Sequence, residues 1–317
     1  VTAVIVGDVG GTNVRLALAT RMETGVILHS VQRLPVREFG SLDAALAAWR
    51  ADATCDADYA VFALAGPTGA EEVRFTNSDW VVSAEPLRKM FGLKSVTLVN
   101  DFAAQARAAP VSADDQFEVL IEGFPQPGAP MVVLGPGTGL GMASVVPSEN
   151  DWKVIPSEGG HQAFAPLDAR ERSILDHLAR DGGIISFEML VSGMGLECLY
   201  ATLAVLRAKP ARLVGAPEIG LAAIAGDDPI AVEAAETLAL MLATFAGNAV
   251  LATGAKGGCV IAGGVAEALA PFLRTEAFRA RFTAHGPMSA YFENLPLRRA
   301  RNPFAALEGA AFFAPKD

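Results

Sequence analysis

The sequence predicts an α/β protein in two halves, each a mixed sheet flanked by helices, with a cleft between them. Three observations carry this. The chain has 317 residues, about two domains at roughly 150 residues each. Residues 1–110 read as three strands in succession, then alternating helices and strands, the pattern of a mixed sheet covered by helices. The order strand, glycine turn, strand also occurs twice, at 4–19 and 131–146, as a duplicated unit would.

The apolar runs Val1–Gly7 and Val14–Ala19 are separated by DVGGTN, too glycine-rich for a helix. Val26–Leu34 makes a third strand. Ser41 caps a helix to about Arg50, with Leu42, Ala45, Leu46 and Trp49 on one face. Ala60–Ala65 is a buried strand, and Glu71–Thr76 alternates as a hairpin arm would. A helix over Ala84–Phe91 stops at Gly92, and the strand Val96–Val99 runs into Asn100-Asp101. Met131–Leu134, GPGTGLG and Met142–Val146 repeat the opening pattern.

Beyond this point the chain turns helical. Asp168 and Glu171 form a capping box before Ile174, Leu175 and Leu178, and Gly182-Gly183 ends that helix. Ser192 caps another toward Val205. Leu238–Ala252 is apolar but holds Thr244, Gly247 and Asn248, too short and too polar for a bilayer core of roughly 30 Å. It reads as a core helix. Cys259–Ala262 is a short strand before Gly263-Gly264, and Asn302-Pro303 starts a last helix through Phe313. The expected division is 1–110 plus 303–317 against 111–302.

The 51% hydrophobic share with 19% charged residues rules out disorder. A net charge of −10 argues against nucleic acid or an anionic membrane as partner. Cys55, Cys198 and Cys259 stand far apart without a CxxC pair, so neither a disulfide framework nor a zinc site is signalled. A reducing cytoplasm fits. No GxxxxGK[ST] is present, and the glycines from Gly135 to Gly141 fall on every second residue rather than as GxGxxG. P-loop and Rossmann readings are therefore disfavoured.

Glycine turns between strands can aim successive N–H groups at a phosphate, with Thr12 and Thr138 adding hydroxyls. Asp8, at the end of the first strand, suits the waters of a magnesium ion; the alternative is a turn carboxylate bonding its own backbone. Asp101 follows a strand end, where a general base reaches a hydroxyl; the alternative is a helix N-cap. In PSEGGHQAFAP, Glu158 and His161 flank two glycines, a polar pair suited to a polyol. Glu188 could add an acceptor, or be a solvated carboxylate in a helix's first turn. His29, His177 and His285 read as strand, helix and loop surface residues without a role.

Together these segments resemble the bacterial ATP-dependent glucokinase family of the hexokinase–actin–Hsp70 superfamily. GDVGGTNVRLAL at 7–18 looks like the first phosphate motif, LGPGTGLGMA at 134–143 like the second, and IAGGVA at 261–266 like the adenosine motif. VNDFAAQA at 99–106 looks like the stretch with the catalytic base, and SEGGH at 157–161 like the sugar loop. The departures are GPGTG for GAGTG and the loop LAGPTG near Pro67-Thr68-Gly69.

The resemblance implies two lobes of ribonuclease H-like type, the actin-like ATPase fold. It implies Asp101 as the base for the sugar 6-hydroxyl, with Asn100, Asp101, Glu158, His161 and Glu188 on glucose. It gives Gly7, Asp8, Val9, Gly10, Gly11, Thr12, Gly137, Thr138, Gly139, Gly263 and Gly264 to ATP, and Asp8 to magnesium through water. A cytoplasmic homodimer is implied as well. The rivals are a kinase of fructose, mannose or N-acetylhexosamine, or a sugar-sensing regulator on the same fold. ROK sugar kinases usually carry a cysteine-rich motif after the sugar histidine, and no cysteine lies between His161 and Cys198. A regulator would add a helix-turn-helix domain and a basic surface, whereas this chain is acidic and opens on the phosphate strand.

Overall fold

The computed structural model describes residues 3–22, 25–53, 56–66, 72–74, 80–149 and 151–315. Cys55 and the Pro67-Thr68-Gly69 loop, like much of the expected Glu71–Thr76 arm, lie outside the described residues. Contacts divide the chain into two compact units, 1–116 with 148–156 and 302–317, and 117–147 with 157–301. The first limit thus falls six residues beyond the expected 110, and the short 148–156 segment joins the first unit.

In the first unit, β1 (Ala3–Val9), β2 (Asn13–Met22) and β3 (Gly25–Pro35) form an antiparallel meander. Strand β1 runs two residues beyond the expected end, so Asp8 lies within it. Ser41 caps α1 (Leu42–Asp52), its Oγ accepting from the Ala44 N–H at 3.2 Å. Then come β4 (Tyr59–Leu64), the hairpin β5 (Glu72–Arg74) and β6 (Val81–Ser83), and α2 (Ala84–Phe91), which ends at Gly92 with φ 65°. Strand β7 (Ser95–Asn100) leads directly into α3 (Asp101–Ala108).

The sheet order is β3-β2-β1-β4-β7, with β1, β4 and β7 parallel. Alternation along β1 sends Ile5 and Val9 toward a core with Leu16, Trp49 and Phe62. It sends Val4 and Val6 to the other face, against Ala104 and the last helix.

The second unit holds β8 (Phe117–Ile121), β9 (Met131–Pro136) and β10 (Leu140–Ser148), which leads into β11 (Asp151–Ser157), most of it in the first unit. Helices α4 (Ala169–Leu178), α5 (Gly193–Leu206), α6 (Ala216–Ala225) and α7 (Pro229–Thr253) follow, then β12 (Gly258–Ile261), α8 (Gly264–Ala268), α9 (Ala270–Leu273), α10 (Glu276–Thr283) and β13 (Leu297–Ala300). Within this unit the strands run β10-β9-β12-β13-β8. Helix α7 is long and apolar enough to cross a membrane by length and composition, but 72% of that stretch is buried. It is the core helix its polar interruptions suggested. Pro229 opens it, Asp228 caps it through the Ile230 and Ala231 N–H groups, and Gly254 closes it at φ 65°.

Asp168 accepts from the Glu171 N–H at 2.9 Å, as the capping box requires. Glu171 instead reaches one residue further back, to the Leu167 N–H at 2.7 Å. Arg281 of α10 donates to Glu171 at 2.7 Å and to Asp168 at 3.0 Å, and Glu171 is fully enclosed. Cys259 is buried in β12, which pushes its thiol far up and leaves it inert.

The last helix, α11 (Ala305–Ala311), returns to the first unit. It packs on α3 through Gly309, where any Cβ would overlap the Ala104 carbonyl oxygen.

Two histidines read as surface residues are half-buried. His177 and His285 each bury a ring nitrogen with no hydrogen-bond partner, and His285 stacks on Phe292 with ring centroids 4.7 Å apart. Burial lowers the His285 pKa below its usual 6.5, against the raising effect of a hydrogen bond to the Phe282 backbone. As pH falls, the unfolded chain takes up this proton first, so stability drops as pH goes below about 6.5. Melting temperature against pH from 7.5 to 5 is expected to fall less steeply in His285→Gln than in wild type; parallel curves would refute the assignment.

Candidate active site

In the first unit, the first glycine turn and the Asn100-Asp101 pair lie at the carboxyl ends of parallel strands. Val9 of β1 pairs with Leu64 of β4, and Leu64 with Asn100 of β7. Two strand spacings, ~10 Å, thus separate the first glycine turn from the Asn100-Asp101 pair. The carboxyl edge of parallel strands is where open α/β sheets bind ligands.

Asn100 takes the capping role that had been open to Asp101. Its Oδ1 accepts from the Ala103 N–H at 3.1 Å, and its Nδ2 donates to the Gly66 carbonyl at 3.1 Å. Asp101 is the first residue of α3, its Oδ1 accepting from the Phe102 N–H at 2.9 Å.

Gly10, Gly11 and Thr12 form the turn itself, closed by the Gly10 N–H on the Asn13 carbonyl at 3.0 Å. Val9 contributes only backbone there, since its side chain is in the core. Gly7 has a different local reason to be glycine, because a Cβ would strike the Phe62 ring.

Asp8 sits directly opposite Arg15 across β1 and β2, and the Arg15 Nη1 donates to its Oδ2 at 2.7 Å. Burial raises the Asp8 pKa, and Arg15 partly offsets this. Asp8 therefore bonds a cross-strand arginine rather than its own turn.

In the second unit, the second turn, the SEGGH loop at 157–161 and Glu188 come together. The Gly137 N–H bonds the Gly139 carbonyl at 2.8 Å, and the Gly193 N–H at the start of α5 bonds the Gly137 carbonyl at 2.9 Å. Gly135 lies so close to Ala262 that a Cβ would overlap the Ala262 carbonyl, and Gly263, at φ 92°, abuts the Pro136 carbonyl. The 261–264 loop and the second turn thus touch backbone to backbone. Gly264, by contrast, opens α8 with free space around it, and Thr138, like Thr12, is exposed.

Residues 160–164 run beside 185–188. The Glu188 N–H bonds the Gly160 carbonyl at 2.9 Å, Phe187 bonds Gln162 at 3.0 Å, and Phe164 bonds Ile185 at 2.8 Å. This sets Glu188 Oε1 at 3.8 Å from His161 Nδ1. Its Oε2 accepts from the Leu140 N–H at 2.8 Å. Glu188 is therefore not the solvated first-turn carboxylate that was its alternative reading. Glu158 and His161 are exposed at the two ends of the loop. Sequence reasoning missed Gly135 and the Glu188–Leu140 bond, since neither leaves a local signal.

Comparisons with known proteins extend over the same segments. The family model described as Glucokinase matches residues 5–317. A glucokinase of Chromohalobacter salexigens is 38% identical over 307 residues, 96% of this chain and 95% of the relative. One from Mesorhizobium japonicum is 35% identical, covering 98% and 91%. The crystal structure of a glucokinase from an Antarctic psychrotroph superposes with a TM-score of 0.88 at 30% identity, covering 98% of each chain. This agrees with the α/β actin-like architecture expected from the sequence. Because the family match runs from residue 5 to residue 317 rather than over one motif, the protein belongs to the glucokinase family.

Proposed function

We propose that this protein transfers the γ-phosphoryl group of ATP to the 6-hydroxyl of glucose, giving glucose 6-phosphate and ADP. The observation that carries this reading is the shared strand edge of the first glycine turn and the Asn100-Asp101 pair. Phosphoryl transfer is mainly positioning and electrostatic stabilisation. N–H groups of Gly10, Gly11 and Thr12, with those of Gly137, Thr138 and Gly139, would hold the phosphates, and Gly263-Gly264 would face the adenosine. Asn100, Glu158, His161 and Glu188 would orient the sugar, and Asp101 would take the 6-hydroxyl proton as the oxygen attacks.

Among the described residues no three His, Cys, Asp or Glu side chains converge as a metal site. Asp8 is one carboxylate next to a phosphate-type turn, with 17% of its side chain exposed. Such a donor set fits magnesium, which usually keeps several waters and binds one or two carboxylates plus substrate phosphates. When bound, the ion would neutralise phosphate charge. A cytoplasmic homodimer completes the reading, and the family resemblance is what supports it.

The test is a coupled assay with ATP and magnesium on glucose, fructose, mannose and N-acetylglucosamine. Glucose is expected to give the highest kcat/KM, and a higher value for another hexose would overturn the assignment.

Glu158→Gln is expected to raise the glucose KM while the ATP KM stays put, because it keeps the shape but removes a charge-assisted hydrogen bond. A change in nucleotide affinity alone would remove Glu158 from the sugar loop.

A further inference from the structure

We propose that the second glycine turn is part of the sugar site, and that the absence of a side chain at Gly139 fixes where the Glu188 carboxylate stands. This rests on the glucokinase reading above. Glu188 is held on three sides. Its N–H bonds the Gly160 carbonyl, its Oε2 accepts from the Leu140 N–H, and its Oε1 faces His161. A Cβ on Gly139 would run into Oε2 and Cδ of the same carboxylate. Gly137, two residues earlier in the turn, has no such neighbour, since nothing lies within 4 Å of its Cβ position.

The two glycines of one turn therefore differ. Gly137 is open on the side where a substituent would project, whereas the space beside Gly139 is filled by Glu188. The contact is also asymmetric in its cost. At Gly135 or Gly160 an added Cβ meets backbone, but at Gly139 it meets the far end of a flexible side chain. Gly139→Ala thus leaves a folded protein in which Glu188 has been pushed off the Leu140 amide and out of line with His161. A residue assigned to nucleotide phosphates then acts on the sugar, as a positioning residue working through Glu188. The relation runs in reverse as well: Glu188 orients the Leu140 amide at the end of the turn, so losing its carboxylate loosens the turn without any sugar present.

The experiment reads glucose binding by calorimetry without nucleotide, on full-length protein checked by thermal melting. Gly139→Ala is expected to weaken glucose binding by roughly tenfold or more, the size of a lost hydrogen bond to a charged group. Gly137→Ala is expected to leave glucose affinity at the wild-type value, whatever it does to nucleotide binding. The reverse arm measures a non-hydrolysable ATP analogue without glucose, where Glu188→Ala should weaken binding severalfold and Glu158→Gln should not. This arm also decides the matter should Gly139→Ala fail to fold. Wild-type glucose affinity in folded Gly139→Ala, or wild-type nucleotide affinity in Glu188→Ala, would overturn the coupling while leaving the kinase reading intact. A wild-type protein that binds no glucose would overturn both.

Discussion

Asp101→Ala is expected to lower turnover by about 10²–10⁴, the contribution typical of a positioned general base. Glucose binding should weaken but stay measurable, because the other proposed sugar ligands, Asn100, Glu158, His161 and Glu188, remain. The fold should be retained, since the cap of α3 is Asn100 rather than Asp101. Steady-state kinetics on protein with an unchanged circular dichroism spectrum checks this. Turnover equal to wild type would take Asp101 out of the mechanism. Asn100→Ala makes the useful contrast, because it removes a cap worth ~1 kcal/mol and should cost stability as well as sugar affinity.

The largest stability effect is expected at Arg281, far in sequence from any motif. Its guanidinium bonds both Glu171 and Asp168 at the start of α4, and only 2% of the Glu171 side chain is exposed. Arg281→Met would leave that carboxylate buried without its cation, a loss of about 3–5 kcal/mol. Urea denaturation should show a clearly lower midpoint, with kcat per folded molecule unchanged. An unchanged midpoint would mean that Glu171 finds water or another donor once the arginine is gone.

What could be read from the sequence is what local chemistry decides. Ser41, Gly92 and Asp168 each act within a few residues of themselves and mark their helix ends where the sequence put them. The glycine turns were legible because no helix tolerates such runs, and their two-fold occurrence pointed to two sheets. Strand β13 was not legible. LRRA does not look like buried strand, yet Arg299 pairs across to Glu118 of β8, and Arg274 of α9's C-terminal end bonds the same carboxylate. A charge network closed over long sequence separations leaves no periodic signal. The close approaches at Gly135, Gly263 and Gly309 were hidden for a related reason. A glycine announces a turn through its neighbours, but backbone packed against a distant segment is specified by that segment. His285 was misjudged in part for the same reason, since its ring abuts Gly247 of the distant α7.

The return of α11 to the first unit sets an order on biosynthesis. Segment 1–116 leaves the ribosome before residues 117–317, but the sheet face made by Val4, Val6, Val61 and Ala63 is covered in part by Leu307, Ala310 and Ala311. Those residues are translated after the entire second unit. The usual sequence, in which the N-terminal domain folds as soon as it emerges, is therefore inverted here. The nascent first unit presents an apolar sheet face throughout synthesis of residues 117–301, an interval in which a chaperone has something to hold. Helix α3, with Asp101 at its head, gains α11 as packing partner only after residues 117–301 have been made, so the helix that bears the proposed base is completed late rather than when it emerges.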